Sequence, residues 1–231
     1  MRKASFQFFI AIILFSSCGT TQLPKSTVYK DLYNEKPVSF LLMPPINRST
    51  NVEAKEYFHS TLNVPIINAG YYVIPPFLSM EILKKESAYD AELFLTNSLM
   101  IFNEVFGADV ALFTIIHKWD KNAIGAKVNI EVEYIAKSIR TNKTLYTRHG
   151  SITYDASVSA NVGGAWGGLV DLALSAVNTA ATQYVDLARM CNGFTFSDLP
   201  AGKYSPNYGV DGNEIAGKQK FKKSLSSQTK Y

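Results

Sequence analysis

Cys18 is the residue of this chain whose chemistry its neighbours define most sharply. Arg2 and Lys3 lead into an apolar run from Ala4 to Phe15, and Ser16, Ser17, Cys18 and Gly19 follow. A basic start, about a dozen apolar residues and small residues before the cut describe a secretory signal peptide, too short to remain as a spanning helix. Small residues followed by cysteine add a second chemistry. The thiol receives a diacylglycerol, the peptide is cleaved before it, and the new amino terminus is acylated. Phe15 occupies a position where leucine is commoner. The chain is thus expected to be lipidated on Cys18, with 1–17 removed.

Other residues able to do chemistry are thinly spread. His59, His117 and His149 lie far apart in sequence, and none has the short ligand spacing of a zinc motif, so no metal site and no cofactor are expected. Glu131 and Glu133 are two apart and share one face of a strand, as a glycosidase pair would. On a half-exposed strand that spacing describes solvated carboxylates. Gly163, Gly164, Gly167 and Gly168 surround Trp166 but lack the closing Gly-Lys-Ser/Thr of a phosphate loop, which leaves a glycine-rich loop with Trp166 as a candidate partner contact. There is no Gly-x-Ser-x-Gly elbow. No catalytic residue is assigned, and a non-enzymatic protein is expected.

Charge excludes a further class. The formal net charge is +4, but Arg2 and Lys3 leave with the signal and Lys218, Lys220, Lys222, Lys223 and Lys230 crowd the carboxyl-terminal end. Without these seven the balance is −3, so no basic face for nucleic acid is expected. With Cys18 lipidated, Cys191 has no partner in its own chain and is expected to be buried or paired with another chain.

The elements that would position these residues follow from periodicity. Residues 18–37 read as a tether with a mean reach of about 25 Å. Val38-Ser-Phe-Leu-Leu-Met43 is a strand buried on both faces and stopped by Pro44 and Pro45. Thr50 and Glu53 have capping-box spacing, and Ala54, Phe58, Leu62 and Ile66 recur along one helix face, with Pro65 expected to kink or divide it and Gly70 to end it with positive φ. A second strand over 71–74 makes a parallel strand, helix, strand unit. Helices are expected over 77–86 and 91–106, the latter ending at Gly107, and a central strand over 109–119. An antiparallel hairpin turns at 140–143, with Ala126, Val128, Ile130, Val132 and Tyr134 on its buried face. An amphipathic helix is expected over 169–190, then loop and a disordered basic tail over 191–231. The fold class is α/β: one domain over 38–190 with a mixed sheet and helices packed against it.

Several of these segments together resemble one family. Phe40-Leu-Leu-Met-Pro-Pro-Ile-Asn47, Tyr57-Phe-His-Ser-Thr-Leu62 with Pro65, Ala69-Gly-Tyr-Tyr-Val73, Phe106-Gly-Ala-Asp-Val-Ala-Leu112 and Trp119 resemble a family of bacterial lipoproteins first noted as a neisserial surface antigen. The resemblance spans about 38–155 and, more loosely, the last helix. Thr141-Asn-Lys143 replaces a tighter Thr-Gly turn, and the lysine-rich tail looks like an addition.

The resemblance implies an α/β domain similar to the amino-terminal domain of TolB and to CsgG-like lipoproteins. It also implies a homodimer and other envelope lipoproteins as partners, with no catalytic residues to carry over; Gly19, in place of the aspartate that retains many lipoproteins at the inner membrane, favours outer-membrane attachment facing the periplasm. The expected role is a non-catalytic component of an envelope assembly or transport complex. Two other readings are a subunit of a CsgG-like secretion channel inserting 151–169, and an envelope hydrolase. Pro44, Pro45, Asn47, Gly70, Gly107 and Asp109 are expected to be fold determinants, Asp109 by bonding backbone at the helix-to-strand turn. Tyr71 and Tyr72 point to opposite faces of a strand, and whichever is exposed joins Trp166 as a candidate partner surface.

Overall fold

The computed structural model describes residues 23–121, 127–155 and 180–226. β1 (Ser39–Leu42) is buried along its whole length. Phe40 and Leu42 face one hydrophobic cluster, Leu41 and Met43 another. A strand apolar on both sides must be covered on both sides, and β1 lies inside the sheet, between β3 (Tyr72–Val73) and β4 (Val110–Lys121), parallel to both. The expected strand, helix, strand unit is therefore present.

Pro44 and Pro45 do a specific job here. β1 pairs with β4 at residues 110–112, and β2 (Ile46–Asn47) resumes the pairing at Ile115 and Ile116. The prolines occupy the step between the two registers, where a backbone without N–H donors loses no ladder bond. The sheet continues with the antiparallel strands β5 (Lys127–Ser138) and β6 (Thr144–Asp155), giving the order β3, β1, β4, β5, β6, β7 (Lys220–Ser226), with β2 paired to β4. Asn142 takes φ 59° in the hairpin turn. Asparagine tolerates that left-handed conformation, which accounts for the missing glycine.

α3 (Ala54–Asn68) buries Ala54, Tyr57, Phe58, Thr61, Leu62 and Ile66. It runs through Pro65 undivided, and its start is not a capping box. Asn51 Oδ1 accepts the Glu53 N–H at 3.0 Å, and Glu53 itself precedes the first helical residue. α4 (Pro76–Lys85) follows β3, but the expected helix over 91–106 is broken into a 3-10 turn (Ala91–Phe94) and α5 (Met100–Phe106). α4, that turn and α5 supply the second cluster, with Leu83, Ala91 and Phe102 buried against Leu41, Ala111 and Phe113.

The last helix, α6 (Ala180–Phe196), extends past the expected end at Met190. Asn192, inside the expected loop over 191–231, is fully buried. Its Nδ2 donates to Phe58 O at 3.0 Å and Thr61 Oγ1 at 2.9 Å, and Oδ1 accepts the Tyr134 hydroxyl. A fully satisfied buried amide ties α6, α3 and β5 together at little desolvation cost. Cys191 beside it is fully buried and free.

Two expectations fail at the chain ends. Residues 25–35 form α1 (Lys25–Val28) and α2 (Lys30–Glu35), where a tether was expected. Too short for periodicity to reveal, they are held by buried Tyr29 and Leu32, and Tyr29 donates to Asp198. Leu23 O accepts the Ala216 N–H at 2.9 Å and Lys25 N–H donates to Glu214 O at 2.8 Å, closing a small antiparallel bridge. The segment after α6 is likewise packed, and residues 220–226 of the expected disordered tail form β7 (Lys220–Ser226), parallel to β6. Lysines suit a sheet edge, where one face is wet and paired strands of other chains are unwelcome.

Candidate functional site

The adjacent tyrosines separate as strand geometry requires. Tyr71 is 3% exposed. Its ring lies 4.8 Å from Phe40 and its hydroxyl donates to Pro200 O at 2.9 Å. It is a core residue and is corrected out of the partner surface. Tyr72 is 50% exposed on the edge strand β3. Phe77 and Leu78, 83% and 56% exposed, follow at the start of α4, Ile67 is exposed at the end of α3, and exposed Tyr204 donates its backbone N–H to Gly70 O at 2.9 Å. These side chains leave one end of the sheet with apolar groups facing water. Trp166 and Cys18 lie outside the described residues, as do 156–169 of the segment expected to insert in a channel; its residues 151–155 end β6, paired to β5 and β7.

The remaining motif residues are built into turns. Gly70 has φ 91°, and a Cβ there would come within 2.4 Å of Ser205 N. Gly107 ends α5 with φ 63°. Asp109 bonds backbone, but that of the neighbouring strand: its Oδ2 accepts N–H bonds from Val38 at 2.8 Å and Ser39 at 3.0 Å. Asn47 orders the approach to α3, its Nδ2 donating to Asn51 O at 2.7 Å and its Oδ1 accepting Ser49 N–H at 3.0 Å.

The helices cover only part of the second sheet face. Beyond them β4, β5 and β6 present Lys118, Asn129, Glu131, Ser151 and Thr153, which with Lys222 of β7 line a shallow polar groove of about 450 Å³. Next to it the strands bring together residues that sequence distance had kept apart. A bulge in β4 between Ile116 and Lys118 leaves both His117 and Lys118 on the wet face. Glu133 pairs in register with His149 on β6. The His117 and His149 rings stack with centroids 5.1 Å apart and planes 1° from parallel. His117 Nε2 lies 3.1 Å from Glu133 Oε2, and His149 Nε2 lies 2.8 Å from Glu131 Oε1. Among the described residues, His117, Glu133 and His149 are the one group of three whose ligand atoms all fall within 4.8 Å of one another. Sequence spacing missed it. A plain hairpin turning at 140–143 would set Glu133 opposite Gly150; a register shift between Ala136 and Lys137 brings it opposite His149, and neither that shift nor the bulge after His117 left a mark in the sequence.

A mixed sheet with helices on both faces of its first half, and an open polar face on the second half, defines an α/β domain without a recognisable catalytic constellation among the described residues. Residues 27–201 match the family described as "Putative lipoprotein GNA1162-like", and the chain belongs to that family. A curated relative, "Putative lipoprotein NMB1124/NMB1162" of Neisseria meningitidis serogroup B, is 23% identical over 174 residues, covering 74% of this chain and 80% of the relative. Among solved structures, lipoprotein GNA1162 from Neisseria meningitidis aligns at TM-score 0.47 and 22% identity, over 64% of this chain and 99% of that one. The LpoB C-terminal domain from Salmonella enterica aligns at TM-score 0.35 and 12% identity, over 55% and 94%. No helix among the described residues is long and apolar enough to cross a membrane.

Proposed function

We propose that this lipoprotein-family chain is anchored through lipid on Cys18 to the periplasmic side of the outer membrane. There it serves as a non-catalytic component of an envelope assembly or transport complex, pairing first with a second copy of itself and then with other envelope lipoproteins. The observation that carries the assembly reading is the exposed apolar set at the β3 edge: Tyr72, Phe77, Leu78 and Ile67. Such side chains gathered at one sheet edge suit burial against another protein.

Anchoring sets the geometry of that encounter. Because α1 begins at Lys25, the span from Cys18 to Leu23 is five residue steps, at most about 18 Å when extended. The domain is held close to the bilayer, and partners on the same membrane meet it at raised effective concentration. Cell fractionation with in-cell crosslinking tests both halves. Cys18→Ser is expected to move the chain out of the membrane fraction, and Tyr72→Asp with Phe77→Ser to abolish crosslinked species while leaving the anchor intact. Retention of Cys18→Ser in the membrane overturns the anchoring reading. Crosslinks unchanged in the double variant overturn the β3-edge interface.

A further inference from the structure

We propose that His117, Glu133 and His149 form a binding site for a divalent transition metal of the zinc type, on the open face of the sheet. Two imidazoles and a carboxylate are a donor set suited to zinc and its borderline neighbours, whereas magnesium and calcium favour all-oxygen sites.

The geometry goes beyond proximity. Glu133 Oε2 is near both histidines, 3.1 Å from His117 Nε2 and 4.0 Å from His149 Nδ1. The other nitrogen of His149, Nε2, is within hydrogen-bond distance of Glu131 Oε1 at 2.8 Å. A proton held on Nε2 by that carboxylate leaves the Nδ1 lone pair free for a metal on the side of Glu133. This is the arrangement in which an outer carboxylate fixes the tautomer of a metal-binding histidine. Glu131 is thus a positioning residue and the other three are ligands.

In a tetrahedral site, ligand atoms lie about 3.4 Å apart. The three donors are all within 4.8 Å and their side chains are about a quarter exposed; binding a metal would turn the stacked rings out of parallel so that both lone pairs meet at one point. Three protein ligands leave one position open to solvent. Of the nearby lysines, Lys118 Nζ is engaged by Asp120 at 3.2 Å, while Lys220 lies in register with His149 on β7 with an exposed stem that can carry its ammonium away. The bulge in β4 sets what flanks the site. Without it His117 would still face this side, but Lys118 and Trp119 would exchange faces, placing a lysine in the core; the bulge therefore keeps His117 flanked by a strand anchored through buried Trp119.

The test uses the full-length chain, purified in detergent without a polyhistidine tag, titrated with zinc against a chromophoric chelator and with cobalt by visible absorption. The expected result is one metal per chain and a tetrahedral cobalt spectrum. His117→Gln, His149→Gln and Glu133→Gln are each expected to weaken binding more than tenfold, and Glu131→Gln about tenfold. His59→Gln, at the remaining histidine, is expected to leave binding unchanged. Circular dichroism establishes that each variant is folded. Should one fail to fold, the wild-type chain suffices, because zinc is expected to shield two of its three histidines from diethyl pyrocarbonate. Absence of saturable binding, binding that survives loss of both His117 and His149, or no shielding of the histidines overturns the proposal. None of these outcomes depends on how the chain is anchored.

Discussion

Asp109 and Ser39 hold each other in both directions across two parallel strands. The Asp109 carboxylate accepts from the Ser39 backbone N–H at 3.0 Å and hydroxyl at 3.1 Å, while the Asp109 N–H donates to Ser39 Oγ at 3.0 Å. The first residue of β1 and the residue before β4 are thereby fixed in register before the ladder begins. Hydrogen bonds to an ionised carboxylate contribute about 1.5–3 kcal/mol. Asp109→Ala is expected to lower unfolding free energy by about 2–3 kcal/mol in urea titration, and Asp109→Asn by less. A loss below about 0.5 kcal/mol for Asp109→Ala would remove the carboxylate from the determinants of the fold.

Gly70 and Gly107 both adopt positive φ, yet they differ in surroundings. A Cβ at Gly107 meets nothing within 4 Å, whereas one at Gly70 collides with the Ser205 backbone. Gly107→Ala is expected to cost about 1–2 kcal/mol, the conformational penalty alone. Gly70→Ala is expected to cost more and to loosen residues 202–205, read as faster amide exchange at Gly202 and Tyr204, whose N–H groups bond Ala69 O and Gly70 O. Equal costs would mean that the close approach relaxes freely.

Burial pushes the Cys191 thiol well above the usual range. In the folded chain it is expected to resist a maleimide or a disulfide reagent for hours, then to titrate as a single thiol in denaturant. Rapid labelling of native protein would contradict a closed core around α6.

Buried tyrosines make the fold sensitive to base. Desolvation raises Tyr57 to about 12, with help from Glu53 and its charge, and Tyr29, Tyr71, Tyr134 and Tyr146 go higher still, again chiefly through burial. A raised folded pKa means that the unfolded chain releases its protons first. The stability tied to these protons is whole below the free value of 10.0 and is lost as pH climbs from there through the folded values. The slope is about 1.4 kcal/mol per pH unit for each tyrosine still held neutral. Melting temperature is expected to be flat from pH 8 to 9.5 and to fall steeply above 10, with tyrosinate absorbance appearing together with unfolding. Tyrosinate that forms well before unfolding would show the hydroxyls to be accessible.

How much of this was legible depended on whether a residue acts locally. β1, β3 and β4 were visible as apolar runs, and Gly70, Gly107 and the Pro44-Pro45 step as residues whose backbone chemistry is their own. The alternation from Val128 to Tyr134 fixed the faces of β5. Where partners come from afar the reading failed. Asn192 looks like a loop residue until Phe58, Thr61 and Tyr134 surround it, and α1 and α2 lack enough residues to show a period. His117 and His149 stand 32 positions apart and meet only because β5 lies between them, in a register further shifted by a bulge.

The bridge between the two ends of the domain has a mechanical consequence. Tension entering at Leu23 is first met by the paired bonds of Leu23 and Lys25 to Ala216 and Glu214, backed by the buried Lys25 ammonium, 3.7 Å from Asp211 and 2.8 Å from Glu214. Asp211 in turn accepts the Ala201 N–H, and Asp198 accepts that of Gly217. A pull at the amino terminus is thus spread into the segment that closes the domain, to which the start of α1 is bound by these backbone and charged contacts. The fold would yield to such a load as a unit, with the strength of a whole domain and not that of its first helix.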